Sequence, residues 1–393
     1  MIIKPKVRGF ICTTAHPEGC KVHVQEQIDY VKAHKPAATG PKNVLIIGCS
    51  NGYGLASRIS AAFGHGAKTL GVMFEKEPTE RRPASAGWYN TKAFEAEAEK
   101  EGLYAKSLNA DAFSDDAKAQ VIDVIKNEMG GQVDLVVYSL GAPRRTDPET
   151  GQTYASSLKA IGEPVTRKSL NTDTKQVGEF TLDPATDEEI HNTIKVMGGE
   201  DWERWIDQLS EAGVLAEGVK STAYSYIGKD LTWPIYGGAT IGRAKQDVDR
   251  ASVAINEKLK KELNGEANVS VLKAVVTQSS SAIPVMPLYL SILIRVMKER
   301  GTNEGCIEQV HGLLTDQLYG SGDRTLDDQG RIRMDLNELD SDVQAEVEAI
   351  WNQVNSDNVD ELTDFAEYQK EFFKLFGFGF DEVDYEKDVD PIV

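Results

Sequence analysis

A doubly wound α/β fold built on a parallel sheet is predicted by three features of the sequence. Val44 to Ile47 form a run of β-branched and aliphatic residues, as expected of a strand buried on both faces. Gly48, Gly52 and Gly54 follow at G-x3-G-x-G spacing, and Leu55, Ala56, Ile59, Ala62 and Phe63 then recur at helical period. Strand-like and helix-like segments alternate through residue 142, the pattern of parallel strands with ligands at their carboxyl ends.

Composition narrows the classes of function. The 393 residues carry 43 basic and 62 acidic side chains, a net charge of −19, which opposes nucleic-acid binding in the absence of a concentrated basic face. Four cysteines, Cys12, Cys20, Cys49 and Cys306, are too few for a disulfide framework and fit a reducing, cytoplasmic setting. The N-terminal residues lack the apolar core of a signal peptide. Ala282 to Met297, the most apolar later stretch, holds two prolines and Arg295 and is too short to span a bilayer. No membrane insertion is expected.

Residues 1–40 read as an N-terminal hairpin extension. Cys12, His16, Cys20 and His23 lie there at C-x3-H-x3-C-x2-H, but these gaps match no common zinc pattern, so no metal is assigned and surface packing is expected. The core is expected over 43–142 and 200–300. Its second strand is Thr69 to Phe74, ending at Glu75, and a loop covers 76–90. A helix over Thr91–Glu101, a strand over Leu103–Leu108 and a helix over Asp115–Met129 capped by Ser114 come next. Asp134 to Tyr138 is the fourth strand. Turn signals at Asp147-Pro148, Thr150-Gly151 and Asp183-Pro184 mark 143–195 as a β-hairpin insertion, a lid over one end of the sheet. A helix over Asp201–Glu211 and a strand over Ser221–Ile227 return to the core pattern. A loop to about Gly238, a long helix through Leu263 and a strand over Val269–Thr277 complete it. Residues 301–393 read as an acidic, mainly helical extension, and all 393 as one enlarged domain of Rossmann type.

The glycine turn fits a pyrophosphate, whose charge would lie at a helix N-terminus. Glu75, 23 residues after Gly52, is placed to accept hydrogen bonds from an adenosine ribose and to repel a 2′-phosphate, favouring NADH, although Lys76 adjoins it. Asp111-Ala112 after the third strand can reach the adenine, and Ser139-Leu140 after the fourth leaves room for the nicotinamide end.

A G-x3-G-x-G turn resembles that of the short-chain dehydrogenase/reductase superfamily, whose catalytic pair is a tyrosine followed by a lysine. None of the 13 tyrosines has a lysine four or seven residues on; Tyr236 and Tyr289 have one nine residues on, at Lys245 and Lys298. Nine residues at about 100° each place two side chains on opposite sides of a continuous helix, so the tyrosine of a cooperating pair must lie off the helix. Gly237-Gly238 provides that break after Tyr236, whereas Tyr289 sits inside an unbroken apolar helix and reads as core. Tyr224 and Tyr226 end the preceding strand, Tyr226 being the better placed to meet substrate.

Tyr-x8-Lys, Gly48-Cys-Ser-Asn-Gly-Tyr-Gly54, Phe74-Glu75, Asp111-Ala112, Ala223-Tyr-Ser-Tyr226 and Lys273-Ala-Val-Val-Thr277 together resemble the trans-2-enoyl-CoA reductases and the FabV-type enoyl-acyl-carrier-protein reductases. The likeness extends over nearly the whole chain. It implies NADH-dependent reduction of the C2=C3 bond of an enoyl thioester, carried by coenzyme A or by acyl-carrier-protein, by a monomer or weak dimer. CoA is preferred narrowly, on the Ala223–Tyr226 and Gly48–Gly54 stretches. The resemblance implies Tyr236 as proton donor, Lys245 as its support and a cofactor contact, and Tyr226 as substrate contact. It implies cofactor contacts at Gly48, Cys49, Ser50, Asn51, Gly52, Tyr53, Phe74, Glu75, Asp111, Ala112, Ser139, Leu140, Ala274, Val275, Val276 and Thr277. A ketone or alcohol dehydrogenase is opposed by the missing Tyr-x3-Lys, and a non-catalytic NAD sensor by the presence of both Tyr236 and Lys245.

Overall fold

The apolar run Val44–Ile47 forms the middle of the molecule. In the computed structural model, which describes residues 1–392, strand β1 (Asn43–Ile47) is buried from Val44 onward. The helix α1 (Pro17–Ala33) precedes it, and α2 (Gly52–Ile59) follows the glycine turn. The alternation then runs β2 (Lys68–Met73), α3 (Ala86–Lys100), β3 (Ala105–Asn109), α4 (Asp115–Glu128), β4 (Val133–Tyr138). An insertion that ends in α5 (Asp187–Met197) follows, then α6 (Glu200–Glu211), β5 (Leu215–Ser225), α7 (Thr240–Leu263) and β6 (Glu266–Val271), and late in the chain β7 (Ile332–Arg333).

These seven strands form one parallel sheet in the order β7-β6-β5-β4-β1-β2-β3. The chain builds outward from β1 to β3, then crosses back to β4 on the other side of β1. That reversal opens a crevice at the carboxyl ends of β1 and β4, where open α/β sheets bind ligands. One face is covered by α4, α6 and α7 through Val121, Ile125, Trp202, Trp205, Leu209 and Ile255. The other is covered by α1, α2, α3 and the helix Cys306–Gly312 through Val24, Ile28, Leu55, Ile59, Phe94 and Val310. With both faces buried, alternation is unnecessary and the strands read as apolar runs.

The α/β class and the parallel sheet stand as expected, and several boundaries move. Helix α3 begins at Ala86, five residues before the expected Thr91, because Gly87 belongs to its first turn; a Cβ there would lie 2.1 Å from Glu75 Oε1. Strand β5 starts at Leu215 rather than Ser221, its register shifting between Leu215 and Lys220, where Gly218 takes φ +73°. Strand β6 ends at Val271, not Thr277: the Ala274 N–H goes to a side-chain carboxylate instead of a neighbouring strand. The insertion holds two hairpins, Arg144–Thr146 with Thr153–Ala155 and Val165–Asn171 with Gln176–Leu182, and also α5, where one hairpin was expected. The C-terminal stretch is mainly helical but also supplies β7, too short to leave a sequence signal.

The N-terminal extension is a hairpin of two-residue strands, followed by the 17-residue α1. Its Cys and His cluster is not a surface feature. His16 caps α1, accepting from Gly19 N–H at 3.3 Å, and Cys12, His16 and Cys20 are buried. Among the described residues, no group of three or more His, Cys, Asp or Glu is arranged to hold a metal, and no helix is long and apolar enough to cross a membrane.

Candidate active site

The turn after β1 is shaped by close approach. Gly48 has φ +85° and Gly52 φ +50°, where only glycine is unstrained. A Cβ on Gly48 would lie 2.3 Å from Ser139 O, and one on Gly54 1.8 Å from Gly48 O. The β1 end, the β4 end and the start of α2 therefore meet backbone to backbone. Asn51 occupies the N-cap of α2 without making a side-chain cap, so the first amides of the helix face the crevice unblocked by it.

Glu75 sits across that turn. Its Oε1 accepts from Ser50 Oγ at 2.6 Å and from Asn51 Nδ2 at 3.1 Å, which fixes the carboxylate and leaves Oε2 for a ribose hydroxyl. Asp111 turns one oxygen to Phe113 N–H at 3.0 Å, with Ala112 buried beside it. Ser139 N–H donates to Ile47 O, and Leu140 is half-buried. Thr277 reaches over the turn, its Cγ2 3.4 Å from where a Gly52 Cβ would be, so the segment from Ala274 through Val275 and Val276 passes beside the crevice. Two members of the expected set turn their side chains elsewhere, and a third, Phe74, is open to solvent. The Cys49 side chain is buried beneath the sheet, with Arg58 Nη1 3.9 Å away, and can offer a ligand only backbone. The Tyr53 hydroxyl donates to Lys273 O at 2.6 Å. Phe74 is 78 % exposed.

These residues fit a dinucleotide: a turn where side chains have no room, an open helix start and an anchored acid with one free oxygen.

Tyr236 and Lys245 lie where the nine-residue spacing requires. A 3₁₀ turn, Trp233–Ile235, ends in Tyr236, whose carbonyl accepts from Ala239 N–H at 3.2 Å and Gly242 N–H at 2.9 Å. Tyr236 is thus off the helix, and Lys245 stands on the second turn of α7. Lys245 Nζ donates to Tyr224 O at 2.9 Å. Burial lowers its pKa to about 8, with Asp249 opposing. Tyr226 packs edge-on against Tyr236, ring centroids 5.0 Å apart at 82°. Their hydroxyls differ. Tyr226 Oη is 3.0 Å from both Thr232 Oγ1 and Glu338 Oε1. Tyr236 has no hydrogen-bond partner among the described residues, and burial alone pushes its phenol up.

Two buried charged groups escaped sequence reasoning. Lys118, on α4, donates to Ala112 O, Phe113 O and Asp201 Oδ1 at 3.0, 3.2 and 2.9 Å, beneath the loop after β3. Its place in an apolar helix register was the one available signal. Glu338 comes from the C-terminal stretch, where nothing local distinguishes it from its many acidic neighbours.

Family models match three consecutive segments. Residues 82–319 match the trans-2-enoyl-CoA reductase catalytic region, and residues 2–80 the NAD(P)H binding domain of trans-2-enoyl-CoA reductase. The chain belongs to the trans-2-enoyl-CoA reductase family. An enoyl-[acyl-carrier-protein] reductase [NADH] of Saccharophagus degradans is 64 % identical over 100 % of this chain and 99 % of its own. That of Colwellia psychrerythraea is 60 % identical over 100 % and 98 %. Among solved structures, a Clostridium trans-2-enoyl-CoA reductase in complex with NADH superposes with TM-score 0.96 at 45 % identity, covering 100 % and 98 % of the two chains. One from Treponema denticola in complex with NAD gives 0.94 at 48 %, covering 99 % and 98 %.

The third model, an enoyl reductase FAD binding domain, matches residues 326–389. The residues there do not fit a flavin. The segment holds the two-residue β7 and helices of 4 to 13 residues, with no strand–glycine turn–helix unit. Its Gly377 is jammed against α1, where a Cβ would lie 2.4 Å from His16 O.

Proposed function

We propose that the chain reduces the C2=C3 double bond of a trans-2-enoyl thioester with NADH. One observation carries the assignment of roles: of two phenols held ring to ring beside the nucleotide crevice, Tyr226 has its hydroxyl engaged and Tyr236 has its hydroxyl free.

Bound NADH would supply the hydride that adds to C3. The glycine turn and the start of α2 would receive its pyrophosphate, Glu75 an adenosine ribose, Asp111-Ala112 the adenine edge, and Ser139-Leu140 with Ala274–Thr277 the nicotinamide end. As C3 gains electrons, negative charge moves to the thioester oxygen. Tyr236 donates a hydrogen bond from its free hydroxyl there, stabilising charge where it develops, and the thioester carbonyl is restored as C2 takes a proton. Lys245, cationic below its lowered pKa, favours proton loss from Tyr236 and can bond ribose hydroxyls. Tyr226 presents its ring to the acyl chain.

Two carriers are in view. The Ala223–Tyr226 and Gly48–Gly54 stretches resemble those of the CoA enzymes. The relatives named for acyl-carrier-protein are more similar, at 64 % and 60 % against 48 % and 45 % for the solved CoA reductases, which favours acyl-carrier-protein as the physiological carrier. NADH oxidation measured with matched crotonyl-CoA and crotonyl-acyl-carrier-protein decides between them by kcat/KM. Turnover of neither would end the assignment. A monomeric state in the cytoplasm completes the reading, and sedimentation equilibrium tests the former.

A further inference from the structure

The C-terminal segment sends one charged group into the active site. Glu338 is fully buried, on the short helix Leu336–Leu339 just after β7. Its Oε1 lies 3.0 Å from Tyr226 Oη and 2.8 Å from Tyr289 Oη, and its Oε2 accepts the Ala274 N–H at 2.7 Å. Three donors converge on one carboxylate from three parts of the chain: the end of β5, the apolar helix Met286–Glu299 and the segment beside the nucleotide crevice. Burial pushes its pKa up, while the Lys273 ammonium and these donors hold it down.

The donors also set where protons point. A carboxylate only accepts, so Tyr226 gives its hydrogen to Glu338 and takes one from Thr232 Oγ1, 3.0 Å away. Gly228, φ +71°, leaves room for that pair, since a Cβ there would lie 2.0 Å from Thr232 Oγ1 and 2.7 Å from Tyr226 Oη.

We propose that Glu338 is a positioning residue for the reduction: it accepts the Tyr226 hydrogen bond, locks that ring edge-on against Tyr236, and so leaves Tyr236 as the phenol that meets the thioester oxygen. Glu338 touches neither substrate nor cofactor and acts through Tyr226, with Ala274 tied to the same carboxylate. The proposal rests on the enoyl-reductase reading above.

Glu338→Gln changes one atom's chemistry. With the amide nitrogen toward Ala274, two N–H groups face each other. With it toward the tyrosines, Tyr226 loses its acceptor and its proton turns to Thr232 or into the pocket. The test is a kinetic double-mutant cycle of Glu338→Gln and Tyr226→Phe, with melting curves for each protein. Glu338→Gln alone is expected to lower kcat by on the order of tenfold, with KM for NADH little changed. In the Tyr226→Phe background the same change should lower kcat by less than about twofold, because the group it acts through is gone. Equal losses in both backgrounds, or an unchanged kcat in Glu338→Gln alone, would overturn the proposal. If Glu338→Gln does not fold, Glu338→Asp keeps the charge and draws the carboxylate back from Tyr226 by one methylene. A kcat loss that disappears in Tyr226→Phe then supports the role, and an unchanged kcat refutes it. Failure of the wild-type chain to oxidise NADH with the thioester would instead overturn the enoyl-reductase reading, and so separates the two.

Discussion

Tyr236 is the residue on which the chemistry turns, and its value lies in what it does not touch. Because its hydroxyl has no partner among the described residues, Tyr236→Phe removes no hydrogen bond found there. Turnover of crotonyl thioester should fall by about 100-fold or more while NADH still quenches protein fluorescence with its usual affinity. Near-normal turnover would refute the donor role. Glu75 has the opposite character, held by Ser50 and Asn51. Glu75→Ala should shrink the preference for NADH over NADPH by roughly tenfold, read as a ratio of kcat/KM values. Lys245 brings pH into the site. Burial lowers its pKa to about 8, so the supporting cation is present below that pH and lost above it. Turnover should therefore decline as pH rises through about 8, and Lys245→Met should lose that limb along with most activity. Stability moves the other way: the unfolded lysine holds its proton to a higher pH, so burial of Lys245 disfavours folding least once it is neutral. The tyrosine–lysine pair was legible because nine residues fit no single helix face. Glu338 was not, because its partners arrive from distant parts of the sequence.

At the level of elements, α4 and α6 are joined by a charge pair that neither displays in its pattern. Lys118 and Asp201 are at most 2 % exposed, and Tyr138 on β4 donates to the same aspartate at 3.1 Å. Removing one partner strands the other in an apolar setting. Lys118→Met should destabilise the protein by about 3–5 kcal/mol in urea denaturation, more than a surface ion pair lost elsewhere. It also frees Ala112 O and Phe113 O, so NADH should bind several-fold more weakly in the folded variant. The strands β1, β2 and β4 were legible because burial on both faces writes them as short apolar runs bounded by turn residues, whereas β3, at the sheet edge, is only half-buried. The ends of β5 and β6 were not. Their boundaries depend on which neighbour takes each backbone N–H, and at Ala274 that neighbour is a side chain 64 positions away.

Across the whole molecule, the late part of the chain is fastened to the sheet by apolar packing and by specific polar bonds. Arg324 grips Glu266 at the start of β6 with two parallel bonds of 2.7 and 2.6 Å, and Lys220 adds a third. Burial opposes ionisation of Glu266, yet these cations hold it down to about 2. A carboxylate depressed in the folded state stabilises it above the unfolded pKa, and that contribution disappears as pH falls from about 4.5 through about 2. Arg324→Ala should lower Tm by a few degrees at neutral pH, and the gap from wild type should narrow steadily toward pH 3 in calorimetric scans. The overall class was legible from local pattern alone. The packing of residues 301–392 against the sheet was not, since its apolar contacts, among them Ile307, Val310, Leu314 and Ile332, join elements far apart in sequence, and its strand is two residues long.

The reach of Glu338 to Tyr226 also has a consequence in time. A polypeptide leaves the ribosome from its first residue onward, so all seven strands and both proposed catalytic residues emerge before Glu338 does. Until then Tyr226 lacks the carboxylate that accepts its hydrogen bond. A nascent chain stalled near residue 300 would have the nucleotide crevice but an unanchored Tyr226. Competence for reduction would thus come near the end of synthesis, a natural delay between folding the core and switching on the chemistry.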